Sequence, residues 1–128
     1  MNEKNTKYLV EKYPRLYRGK DLPITQNLLP FGIETGDGWF DIIDQLSAEI
    51  TRLDEESITD TLAVQVKEKY GGLRFYISGG DSRVDEAIEY AENKSLETCE
   101  VCGEPGRERG TSWIYTMCDK CWKEHTDE

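Results

Sequence analysis

Along this chain the spacing of apolar residues changes from a helical to an extended period and back, and the changes mark its elements. From Asp37 or Gly38 the run GWFDIIDQLSAEITRLD predicts a helix to about Asp54. At roughly 100° per residue, Trp39, Ile42, Ile43, Leu46, Ile50 and Leu53 fall within one stripe about 100° wide. Asp37, Asp41 and Asp44 fall on the opposite side, which predicts a solvated face. Over 61–78 the pattern alternates, with Leu62, Val64 and Val66 and then Leu73, Phe75 and Ile77 set against polar neighbours. Gly71-Gly72 between the two runs supplies a tight turn, so an antiparallel hairpin with one buried face is expected. Gly79-Gly80 ends its second strand. Asp81 or Ser82 then caps a helix to about Leu96, with Val84, Ala87, Ile88 and Ala91 inward. A shorter helix is expected over 5–17, broken by Pro14, and Pro23 and Pro30 keep 18–36 irregular. Two to three helices on a hairpin make an α+β core over residues 1–97.

After Thr98 periodicity gives way to spacing. Cys99-x2-Cys102 and Cys118-x2-Cys121 are separated by fifteen residues and contain every cysteine of the chain. Two such knuckles place four thiolates around one ion, so a structural zinc ribbon is expected over 98–123, with a strand at 112–117 and a mobile tail at 124–128. Thiolates suit zinc first and iron second, whereas magnesium and calcium need oxygen ligands; disulfides or free thiols are the lesser readings. So few bulky apolar residues (Trp113, Ile114, Tyr115, Trp122) cannot build a core alone, so metal supplies the cohesion. Loss of Cys99 or Cys121 is accordingly expected to unfold the ribbon and leave the hairpin core largely intact. His125, the one histidine, reads as solvated in preference to a substitute ligand. A site filled by four cysteines has no open position for catalysis, so the chain is expected not to be an enzyme.

At 128 residues the chain has room for one ordinary domain plus this appendage. The N-terminal segment is charged and has no apolar run of leader length, and no stretch approaches a membrane span, which predicts a cytoplasmic protein. Reduced cysteines agree with that compartment. Net charge is −10, and between Asp21 and Asp60 ten acids face the single base Arg52. That excess speaks against a nucleic-acid polymer as partner. It fits either solubility or an acidic docking face, for which Asp37, Asp41, Asp44, Glu55 and Glu56 are the candidates. A catalytic or hard-metal role for these carboxylates would need a cleft. Two other classes stay open. Arg107, Arg109, Lys120 and Lys123 give the ribbon a possible nucleic-acid contact. The strand-to-helix turn at Gly79, Gly80 and Ser82, flanked by Arg74 and Arg83, is a possible small-nucleotide site, although it lacks the Gly-Lys-Ser/Thr of a P-loop. Trp39 is expected in the core and Trp113 more exposed.

The order YPRLYRGKDLPITQ, GIETGDGWFDIIDQL, AVQVKEKYGGLRFYISGGD, CEVCGEPG and WIYTMCDKCW resembles a family of small uncharacterised proteins of tailed bacteriophages and prophages, over roughly residues 8–122. The resemblance implies phage origin, action in the cytoplasm of an infected bacterium and a zinc knuckle. It implies no reaction. Combined with the acidic surface, it leads to the expectation of an accessory protein that binds and inhibits a host protein with a basic surface, a defence or nucleic-acid-processing factor.

Overall fold

The apolar stripe becomes the inner face of helix α2, Phe40–Ser57, entered through a 3-10 turn at Asp37–Trp39. This is a computed structural model, and it describes residues 1–127. Trp39, Ile43, Leu46, Ile50 and Leu53 are buried, and Ile42 at the edge of the stripe is half-buried. α2 runs past the expected Asp54 because Asp54 is itself tied down. Its carboxylate accepts from Thr59 Oγ1 at 2.7 Å, Thr61 Oγ1 at 2.8 Å and the Thr61 N–H at 3.0 Å, joining the end of the helix to the start of the next strand. The chain leaves α2 through Ile58, whose backbone is left-handed at φ 56°.

The hairpin follows as β2, Leu62–Lys69, and β3, Gly72–Ser78. Its turn lies one position earlier than expected. Tyr70 and Gly71, both at positive φ, make the two-residue loop, and Gly72 already pairs with Lys69. Positive φ at both centres matches the twist of the strands. A bulge between Ala63 and Gln65 changes which β2 side chains face inward. Ala63 and Val66 are buried, whereas Leu62 and Val64, expected inward, are only half-buried and lie outside the core cluster.

Two further corrections concern 1–36. A short strand β1, Ile33–Glu34, runs parallel to β2 in a stretch expected to be irregular, so the sheet is mixed with order β1-β2-β3. Helix α1 spans Glu3–Lys12, with Asn2 as N-cap, and ends before Pro14. Helix α3, Ser82–Ser95, starts where its capping residue predicts: the Asp81 carboxylate accepts from the N–H groups of Arg83 and Val84. Val84, Ile88 and Ala91 are buried, with Ala87 half-buried. Helices and sheet bury one shared core, so the architecture is α+β as expected. Among the described residues no helix is long and apolar enough to cross a membrane.

Candidate metal centre

Four cysteines reach one point by two routes. The first knuckle follows α3 directly and is closed by the Gly103 N–H on the Cys99 carbonyl at 2.9 Å and the Cys99 N–H on the Glu104 carbonyl at 2.7 Å. The second is delivered by a small hairpin, β4 at Arg107–Arg109 and β5 at Tyr115–Met117, which is shorter than the strand expected at 112–117. It ends in helix α4, Asp119–Thr126, where residues 124–126 had been expected in a mobile tail; Glu128 lies outside the described residues. Cys118 is the N-cap of α4, and its Sγ accepts from the Cys121 N–H at 3.3 Å. Arg109 locks hairpin to helix, donating to the Met117 carbonyl at 3.1 Å and to Asp119 Oδ1 at 2.5 Å.

The four Sγ atoms of Cys99, Cys102, Cys118 and Cys121 lie within 4.8 Å of one another. Cys102 and Cys118 are 3.7 Å apart, close to the edge of about 3.8 Å of a tetrahedron built on metal–sulfur bonds of about 2.3 Å. The cluster could therefore hold one metal ion, in a closed site. Protonation agrees. Burial opposes a thiolate at Cys99, but the backbone N–H groups of Cys118, Cys102 and Val101 outweigh it and bring that thiol down to about 7. Cys121 is pushed far up, by burial first and then by the thiols of Cys118, Cys102 and Cys99. So many adjacent sulfurs do not ionise together without a cation to share, and a soft divalent ion supplies one. His125 stands apart from the sulfurs, packed on Tyr115 at 4.8 Å and Trp122 at 5.7 Å between ring centres.

The centre is docked on the core through Gly36–Trp39. The Gly38 N–H donates to the Glu100 carbonyl at 2.7 Å, the Gly36 N–H to Glu100 Oε2 at 3.0 Å, and the Trp39 indole to the Thr98 carbonyl at 2.9 Å. A Cβ on Gly38 would overlap the Cys99 carbonyl oxygen. On the other side Thr116 Oγ1, fully buried, donates to the Gly71 carbonyl of the hairpin turn at 2.6 Å. Sequence reading missed this seat. The signal available was Gly-Asp-Gly immediately before a buried tryptophan, two glycines where something must come close.

The acidic candidates divide. Asp37 accepts from the Asn2 N–H and from Asn5, which hold its carboxyl below the usual range. Asp44, expected to be solvated, accepts from the Tyr13 hydroxyl at 2.6 Å and pairs with Lys12 at 3.2 Å. Glu56 pairs with Arg52 and Arg83. Asp41 and Glu55 are exposed and make no ion pair among the described residues. Asp41 borders a groove of about 760 Å³ between α2 and α3, with Leu46, Leu53, Ala87 and Ala91 among its lining. The strand-to-helix turn is filled from within, because the Asp81 carboxylate takes the Arg83 and Val84 amides and holds the side chain of Arg83. Gly79, Gly80 and Ser82 thus face an internal anion, and Arg74 sits mid-strand on β3. On the ribbon, Arg107 and Arg109 both turn to Asp119.

Comparison of the chain with family models, with curated proteins and with solved structures finds no match.

Proposed function

We propose that this chain is a non-enzymatic, zinc-stabilised binding protein that engages a basic protein partner through its helical face. The carrying observation is charge placement: apart from the buried Asp54, α2 and α3 together hold nine carboxylates against three basic side chains. Between them runs the groove, its floor apolar and its rim set with Asp41, Glu49 and Glu86 alongside Arg52, Arg83 and Lys94, Glu49 being paired with Arg52, and with Tyr90 72% exposed on one wall. An apolar floor gives affinity, an exposed aromatic offers an anchor, and the acidic excess of the two helices as a whole speeds encounter with a basic segment. Zinc is the ion that four thiolates in a closed tetrahedral set favour, and its role is to hold the ribbon against the start of α2. Resemblance to small phage proteins supports placing the partner in an infected bacterium, as a host factor that handles nucleic acid and so carries a basic surface.

The test is capture from bacterial lysate by the zinc-loaded protein, with bound proteins identified by mass spectrometry. A stoichiometric basic protein is expected, and it should be lost on the charge reversals Asp41→Lys and Glu86→Lys in protein that keeps its metal and circular dichroism. Undiminished capture by that double variant would sink the reading.

A further inference from the structure

The sheet has a second face, and its chemistry is opposite to that of the helices. Val66 and Phe75 are register partners and both are buried, so the pairs on either side, Lys67 with Arg74 and Gln65 with Tyr76, project away from the core. Glu34 of β1 stands beside Lys67 on the same face. β2 and β3 carry three basic residues, Lys67, Lys69 and Arg74, and one acid, Glu68, whose carboxylate is taken by the Gly71 N–H at 2.8 Å. Among the described residues, none of these three bases forms an ion pair, whereas Arg15, Arg18, Arg52, Arg83, Arg107 and Arg109 all do. Arg74 goes further: its Nε is shielded from solvent and has no hydrogen-bond partner. That one nitrogen of the guanidinium lacks an acceptor.

Two aromatic side chains lie among these charges. Tyr76 is 44% exposed, and Tyr70, at the hairpin tip, is 71% exposed with the Lys69 ammonium over its ring. Free cations alternating with open rings on a strand face suit a polymer whose own charges alternate with flat groups. We propose that this outer face of the sheet binds single-stranded RNA, with phosphates at Lys67, Lys69 and Arg74 and bases stacked on Tyr76 and Tyr70. Gln65, across from Tyr76, sets an amide beside the stacking ring where a ribose 2′-hydroxyl has a partner. The acidic helices lie on the other side of the sheet, and at physiological salt their field is screened over about 8 Å.

The measurement is fluorescence anisotropy of a labelled, unstructured RNA of about twelve nucleotides, titrated with zinc-loaded protein across a salt series. Saturable binding is expected, with the logarithm of affinity falling against the logarithm of salt at a slope of about −2, as three phosphate contacts on a single strand require. Lys67→Gln with Lys69→Gln should weaken binding at least tenfold and flatten the slope. Tyr76→Ala should weaken it on the order of tenfold with the slope unchanged, because stacking carries no counterions. Arg74→Gln should act like the lysine pair. As Arg74 is partly enclosed, the lysine pair, with Lys69 exposed, keeps the test decisive if that variant does not fold. Lys120→Gln with Lys123→Gln on the ribbon should change nothing. The assignment is overturned by absence of binding at about 50 mM salt. Unchanged affinity in folded lysine-pair and Tyr76 variants, equal binding of DNA of the same sequence, or equal competition by a polyglutamate of matching charge overturns it too.

Discussion

Ile58 is 94% exposed and holds φ at 56°, a left-handed conformation that disfavours a β-branched side chain. No packing compensates for it, so the residue that closes α2 stores backbone strain where glycine would store none. Ile58→Gly is therefore expected to stabilise the protein by about 1 kcal/mol, raising the melting temperature by roughly 4 °C in a thermal scan. A fall would show that the isoleucine makes a contact worth more than the strain. The pattern of apolar spacing had no means of showing this position, because strain depends on the neighbouring Asp54 carboxylate, which fixes how the chain leaves the helix. The same holds for Asp44. Its angle on the helix wheel placed it in water, but Tyr13 and Lys12 arrive from α1, a long-range meeting that periodicity along one segment does not contain.

At the scale of elements, what was legible is what short-range chemistry dictates. The inner row of α2, the Asp81 cap of α3 and the paired cysteine knuckles each follow from residues within a few positions of one another. β1 was not legible because two residues have no period, and its pairing to Val66 is made from the far side of α2. The register of the hairpin was missed by one residue because two glycines offer two turns. Thr116, which donates to the Gly71 carbonyl, and Ile114, packed against Gly71, seat that glycine as the second turn residue and leave Tyr70 as the first. Tyrosine pays a conformational penalty there that asparagine largely avoids. Tyr70→Asn is expected to raise the melting temperature by a few degrees, on the order of 0.5–1 kcal/mol, while weakening RNA binding if Tyr70 stacks on a base. Opposite signs in the two readouts separate a residue kept for contact from one kept for the turn.

At the scale of the whole molecule, stability turns on how the two parts are joined. Read from spacing, the ribbon is packed against the core yet expected to unfold alone when a cysteine is lost. The structure ties it to the start of α2 by the Trp39 indole and the Gly38 amide, and to the hairpin turn by Thr116, with close approach at Gly38 leaving no room for a side chain. Trp39 is also a central member of the main core, so loss of the Thr98 carbonyl leaves a buried indole N–H without its acceptor. An ion that binds only the folded state then stabilises both parts together. Chelation is expected to lower the melting temperature of the entire protein in one transition, with tryptophan fluorescence and far-ultraviolet circular dichroism coincident, and Cys121→Ser should reproduce it. Because protons compete with the ion for thiolates, the metal-dependent part of the stability should be present at neutral pH and lost as pH falls. Two separated transitions, the upper one indifferent to chelator, would instead show a core that stands without its metal clip.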